Sequence, residues 1–167
     1  MIWHRSLPGW PQDHACFAGH SLGGILVQLL AFRRPDLVAG LALVDPGHEE
    51  MESLLPLPLR WGWRIMRNVR PDELHDDPAV TLAALREMRA AARPFPGVPV
   101  VVLSAARGFP RRFRARWTRL QAGLAAAAPQ GRHVVVDGTG HQIPRDRPDA
   151  VADTILAIAA QLRASTA

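Results

Sequence analysis

Apolar residues in this chain occur in two kinds of pattern. Short continuous apolar runs cover residues 14–18, 38–44, 98–104 and 133–136, and runs of this length are typical of buried strands. In residues 24–33 and in a C-terminal segment that begins near Pro148, apolar positions instead recur every three or four residues, as on one face of a helix. The apolar face predicted for the C-terminal helix contains Val151, Ile155, Ile158 and Leu162. These patterns predict an α/β protein in which strands and helices alternate.

A glycine-flanked serine lies between the first predicted strand and the first predicted helix. The pentapeptide is Gly19-His20-Ser21-Leu22-Gly23, a G-x-S-x-G pattern. Between a strand and a helix, this pattern is typical of a nucleophile elbow, a strained turn that exposes the serine hydroxyl to a substrate. We expect Gly19 and Gly23 to let strand and helix approach closely, because neither has a Cβ. The alternative is a glycine-rich turn in which Ser21 only caps the helix.

A serine nucleophile needs a base, which is usually a histidine oriented by a carboxylate. The chain has seven histidines. His141 stands out because its segment, Gly140 to Pro144, follows the strand predicted at 133–136 and precedes the C-terminal helix. A histidine can also be a surface or packing residue, but this position favours His141 as the base.

Three motifs in this order resemble the α/β-hydrolase fold superfamily: Gly19 to Gly24, the Val-Asp-Pro at 44–46, and Gly140 to Pro144. The resemblance extends almost to both ends of the chain. It implies a partial α/β-hydrolase fold, a mostly parallel sheet of about four strands flanked by helices. It also implies three parts: residues 1–46 with the elbow, a helical cap at 47–97, and residues 98–167 with the histidine loop.

The resemblance leaves the carboxylate open. Members of the superfamily commonly carry it after the strand that precedes the histidine strand, yet this chain has no Asp or Glu between Glu87 and Asp137. Some members carry it one strand earlier, which implies Asp45 at the end of the 38–44 strand. An aspartate before a proline can also simply begin a turn. Asp137, Glu49 and Glu50 are alternative acids.

The resemblance also implies a function and a competing interpretation. The backbone N–H of Leu22 would be one oxyanion donor, and the substrate would be a small, hydrophobic, ester-like molecule. The strands and oxyanion loop that precede the elbow strand in the superfamily have no counterpart in the few residues before it. We therefore expect an open sheet edge, which favours self-association or pairing with another chain. The competing interpretation is an inactive hydrolase fragment that acts as an interaction module.

Charge composition adds one further candidate. All 20 basic residues are arginines and the net charge is +5, with a dense basic stretch from Arg111 to Arg119. Such a stretch with interleaved aromatics can contact nucleic acid. However, Phe113, Trp117 and Leu120 have helical spacing, which favours a packed helix with a solvated basic face. We therefore expect no nucleic-acid partner.

The remaining composition excludes several classes of site. Cys16 is the only cysteine, so no intrachain disulfide can form, and its apolar strand predicts a buried, unreactive thiol. The sequence has no zinc-type Cys/His spacing and no phosphate-binding glycine loop, so we expect neither metal nor cofactor. No apolar run approaches the roughly 18 residues of a membrane span. We expect a cytoplasmic protein without a membrane partner.

Overall fold

The structure, a computed structural model, describes residues 14–48, 50, 83, 86–87, 94–108 and 111–165. Most of the cap predicted at 47–97 lies outside the described residues, as does the alternative acid Glu49.

Four strands form one sheet. They are β1 (Ala15–His20), β2 (Val38–Val44), β3 (Pro99–Ala105) and β4 (Gln130–Val136). They lie side by side in the order β1-β2-β3-β4, and each neighbouring pair is parallel. This arrangement confirms the predicted parallel sheet of about four strands.

Helices cover both faces of this sheet. They are α1 (Leu22–Arg33), α2 (Arg111–Ala126), α3 (Ile143–Asp146) and α4 (Pro148–Ser165), with a short 3₁₀ turn at Pro35–Leu37. Residues of α1 and α2 pack on one face, and α4 packs on the other with the predicted apolar residues Val151, Ile155, Ile158 and Leu162. Because both faces are covered, β2 and β3 are buried along their whole length, which explains why their sequences are apolar apart from Ser104.

Because the strands are parallel, the four segments that follow them lie at the same end of the sheet. Ser21 follows β1, Asp45 follows β2, residues 106–108 follow β3, and residues 137–142 follow β4. In open α/β sheets, ligands bind outside the carboxyl ends of the strands, so a site is expected at this end of the sheet. Within the described part of the chain, β1 pairs only with β2 and β4 only with β3.

Candidate active site

Ser21 occupies a strained turn between β1 and α1. Its φ is 56° and its ψ is −118°, in a region that non-glycine residues rarely adopt. The turn is held by backbone hydrogen bonds: the Ser21 N–H donates to the Val44 carbonyl at 3.1 Å, and the Ser21 carbonyl accepts from the N–H groups of Gly24 and Gly47 at 3.1 and 3.0 Å. The Ser21 side chain makes no capping hydrogen bond to α1 within the described residues. Its hydroxyl is therefore available for another partner.

The close approach at this turn depends on Gly19 and Gly24. A Cβ on Gly19 would overlap the backbone of Gly23, and a Cβ on Gly24 would lie 2.5 Å from the Pro46 Cβ. A Cβ on Gly23 would meet nothing within 4 Å among the described residues. Within the described residues, the steric reason expected for Gly23 is therefore wrong, because a Cβ at this position would meet neither β1 nor Pro46. Gly24, one residue later, carries that requirement instead.

A chain of hydrogen bonds connects Ser21, His141 and Asp45. The His141 Nε2 lies 3.1 Å from the Ser21 Oγ, and the His141 Nδ1 lies 2.7 Å from the Asp45 Oδ2. An ionised carboxylate only accepts hydrogen bonds, so Nδ1 carries the ring proton and Nε2 accepts the Ser21 hydroxyl proton. This tautomer is the one in which a histidine can act as a base toward serine. The His141 side chain is 43% exposed, so a substrate can reach it.

Asp45 is fully buried and hydrogen-bonded through both carboxylate oxygens. While Oδ2 faces His141, Oδ1 accepts from the indole Nε1–H of Trp117 at 3.0 Å and from the Ala105 N–H at 3.2 Å. A buried carboxylate is tolerated only where such donors replace water. The φ of Asp45 is 39°, a left-handed conformation that a non-glycine residue seldom adopts. The structure thus places Asp45 at His141.

His20, the residue before Ser21, also contacts His141. Its Nε2–H donates to the backbone carbonyl of His141 at 2.7 Å, and the two ring centroids lie 4.7 Å apart. The contact joins the end of β1, directly before Ser21, to the histidine loop. Sequence reasoning did not single out His20, although its position at the end of β1 beside Ser21 was a usable signal.

The histidine loop has its own supports. The Thr139 hydroxyl donates to the Val136 carbonyl at 2.7 Å, and the Arg107 N–H donates to the Thr139 carbonyl at 2.8 Å. Gly108, whose φ is 106°, turns the chain close to Gly140 and His141. The loop after β3, which contains no acid, therefore supports the histidine loop through its backbone.

The structure also describes the alternative acids Asp137 and Glu50, the predicted oxyanion donor Leu22, and Cys16. Asp137 lies in the exposed turn after β4, and Glu50 is exposed, with its N–H donating to the His48 Nδ1 at 3.1 Å. Leu22 is the first residue of α1, directly after Ser21, so its N–H belongs to the positive end of the helix. Cys16 is partly buried, and burial raises the pKa of its thiol to about 11.

The basic stretch forms the first part of α2. Phe113, Trp117 and Leu120 pack together there, as their spacing predicts. In the described ranges, no group of three or more His, Cys, Asp and Glu residues is placed to hold a metal ion. The helices that the structure describes include none that is long and apolar enough to cross a membrane.

Comparison with solved structures identifies the fold. A thermophilic esterase is 20% identical to this chain with a TM-score of 0.58, over 89% of this chain and 67% of its own. A carboxylesterase of the thaumarchaeon Nitrososphaera gargenis is 15% identical, with a TM-score of 0.63 and coverages of 92% and 67%. The proline iminopeptidase of Mycobacterium smegmatis is 14% identical, with a TM-score of 0.52 and the same coverages.

No family model and no curated protein matches the chain. The chain spans about two thirds of the length of these three solved structures. Because the identities are low, the likeness concerns the fold alone: a partial α/β-hydrolase fold, as the three sequence motifs predict.

Proposed function

We propose that this chain, with its partial α/β-hydrolase fold, is a serine hydrolase of ester-like carbonyl compounds whose catalytic residues are Ser21, His141 and Asp45. One observation carries the proposal: the hydroxyl, imidazole and carboxylate form a continuous hydrogen-bonded chain with distances of 3.1 and 2.7 Å at the carboxyl ends of the strands. The strained φ of Ser21 supports it, since such strain concentrates at functional sites.

The first half of the reaction acylates the serine. The Ser21 Oγ attacks the carbonyl carbon while its proton passes to the His141 Nε2, and the carbonyl oxygen becomes an oxyanion that the Leu22 N–H stabilises. Asp45 holds the Nδ1–H tautomer and stabilises the imidazolium. The bond to the leaving group then breaks, and His141 returns its proton to the departing alkoxide. An acyl group remains on the Ser21 Oγ.

The second half of the reaction regenerates the enzyme. Water donates a proton to His141 as its oxygen attacks the acyl carbon, and the bond to the Ser21 Oγ then breaks. His141 returns the proton to Ser21, and a carboxylic acid is released. The 47–97 segment, which lies largely outside the described residues, contains Trp61, Trp63, Met66 and Met88. Side chains of this kind around a pocket would favour a substrate with a hydrophobic acyl or alkyl group.

A fluorophosphonate probe tests the proposal because it reacts covalently with an activated serine. Purified protein should be labelled at Ser21, as located by mass spectrometry, and Ser21→Ala should remove that label. His141→Ala and Asp45→Asn should slow the labelling by about a thousandfold or more, in line with losses from other triads. His133→Ala is a matched control, since His133 is a partly buried histidine whose Nε2 lies 2.8 Å from the Ser104 Oγ.

Two results would contradict this function. Labelling that is as fast in His141→Ala as in the unchanged protein would show that His141 does not activate Ser21. A folded protein that is not labelled would favour the competing function, an interaction module that associates through a sheet edge. In the described residues β1 pairs on one side only, so size-exclusion chromatography of the same sample would then test self-association.

A further inference from the structure

Two side chains of α2, one helical turn apart, donate hydrogen bonds to Asp45 and to the residue that follows it. The Trp117 Nε1–H donates to the Asp45 Oδ1 at 3.0 Å, and the Gln121 amide Nε2 donates to the carbonyl of Pro46 at 3.0 Å. Trp117, Gln121 and Asp45 are all buried. Hydrogen bonds between buried groups act in a low dielectric, where each is stronger than the same bond in water.

Trp117 is placed to control the orientation of the carboxylate. The other donor to Oδ1 is the Ala105 N–H, at the longer distance of 3.2 Å. With Oδ1 held by Trp117 and Ala105, Oδ2 is directed to the His141 Nδ1 at 2.7 Å. Without the indole, the carboxylate would have one fewer donor and more freedom to rotate away from His141.

The indole is itself fixed by packing. Its ring stacks with that of Phe113, with centroids 6.3 Å apart and planes inclined by 11°, and Leu120 packs against the same pair. The Trp117 residue is only 3% exposed. Its Nε1–H therefore has a defined direction, which an exposed side chain would not provide.

We infer that Trp117 is a positioning residue of the site, which orients Asp45 and through it the imidazole of His141. This inference rests on the proposed function for its effect on activity. It differs from a packing role, because it assigns the effect to the Nε1–H and not to the volume of the ring. Loss of a hydrogen bond to a charged group should slow the reaction by about tenfold to a hundredfold.

Trp117→Phe and Phe113→Leu form a matched pair. The first variant keeps an aromatic ring and loses the donor, whereas the second loses aromatic packing in the same cluster and leaves the donor. Thermal melts of both variants show whether each is folded and how much stability each loses. Labelling of Ser21 by the fluorophosphonate probe, corrected for the folded fraction, should slow about tenfold to a hundredfold in Trp117→Phe. It should slow much less in Phe113→Leu, which keeps the donor and leaves an apolar side chain against the indole.

A second measurement needs no activity. The Nδ1–H of His141 that bonds Asp45 should give a low-field proton NMR resonance, assigned by its loss in His141→Ala. We expect Trp117→Phe to shift this resonance and speed its exchange with water, and Phe113→Leu to change both much less. In ¹⁵N-labelled protein, Asp45→Asn should likewise shift the indole N–H signal of Trp117.

The possible outcomes separate the two proposals. Normal labelling and an unchanged His141 resonance in Trp117→Phe would overturn the positioning role and leave the proposed function intact. If the fluorophosphonate probe does not label Ser21 and the His141 resonance moves only in Trp117→Phe, the hydrolase function is refuted. The positioning of Asp45 by Trp117 is still supported in that case. Equal effects of Trp117→Phe and Phe113→Leu on both readouts would reduce Trp117 to a packing residue.

Discussion

Two neighbouring glycines at the start of α1 should respond in opposite ways to the same substitution. A Cβ on Gly24 would lie 2.5 Å from the Pro46 Cβ and 2.9 Å from the Pro46 Cα. Carbon atoms in contact prefer about 3.5 to 4 Å, so Pro46 would have to move by about 1 Å. At Gly23 the added methyl group meets no described atom within 4 Å.

The magnitudes follow from this difference. Forcing an extra methyl group into a packed site costs about 1 to 3 kcal/mol of unfolding free energy, whereas Gly→Ala at an unhindered position with compatible backbone stabilises by about 0.4 to 1 kcal/mol. In a chain of this size each kcal/mol moves the melting temperature by about 2 to 4 °C. Gly24→Ala should therefore melt about 2 to 12 °C lower than the unchanged protein, and Gly23→Ala about 1 to 4 °C higher.

The displacement of Pro46 in Gly24→Ala should also lower the reactivity of Ser21. Pro46 directly follows Asp45, so moving it shifts the carboxylate relative to His141, and a misplacement of about 1 Å can cost roughly a hundredfold in rate. Differential scanning calorimetry gives the stabilities, and fluorophosphonate labelling of the folded fraction gives the reactivity of Ser21. If Gly24→Ala melts no lower than Gly23→Ala, the packing of the elbow against Pro46 is not what we describe.

Three further predictions concern single side chains. Because burial raises the pKa of Cys16 to about 11, only about one Cys16 thiol in a thousand is ionised at pH 8. Iodoacetamide should therefore alkylate Cys16 slowly in the native protein and rapidly in denaturant. Equal alkylation rates would contradict the burial. Burial lowers the pKa of His133 below its unfolded value of about 6.5, so the unfolded chain binds the proton more readily and stability should fall as pH drops below about 6.5. In chemical denaturation, the free energy of unfolding of His133→Gln should fall less steeply with decreasing pH than that of the unchanged protein. An unchanged slope would mean that other groups cause the fall. His20→Phe keeps a ring beside His141 but loses the donor to its carbonyl, so Ser21 labelling should slow, and His20→Gln, which restores a donor, should recover part of the rate.

The sequence predicts the elements of this fold well and their polar contacts poorly. The apolar run of 38–44 coincides with β2, and the spacing of Phe113, Trp117 and Leu120 correctly predicts a packed helix face. Periodicity shows which side of an element is buried, but not which polar atoms of another element lie against that side. The bond from Trp117 to Asp45 joins residues 72 positions apart, and no local pattern marks it.

The glycines show the same limit at shorter range. The G-x-S-x-G pattern identifies the turn, yet it draws attention to Gly23, while the tight contact falls on Gly24. Which of two adjacent glycines faces Pro46 depends on how α1 is rotated against the end of β2. That rotation results from packing between two elements and cannot be deduced from the composition of one.

Sheet order explains how an acid after β2 can serve this site. Since the strands lie in the order β1-β2-β3-β4, Asp45 at the end of β2 is directly beside Ser21 at the end of β1. His141 comes from beyond β4 and must cross the ends of both β3 and β2 to reach Ser21. The Arg107 N–H, which bonds the Thr139 carbonyl, supports that crossing from the end of β3. An acid after β3 is therefore unnecessary, because Asp45 already lies beside the imidazole of His141. The loop after β3 instead supports the histidine loop through the Arg107 N–H.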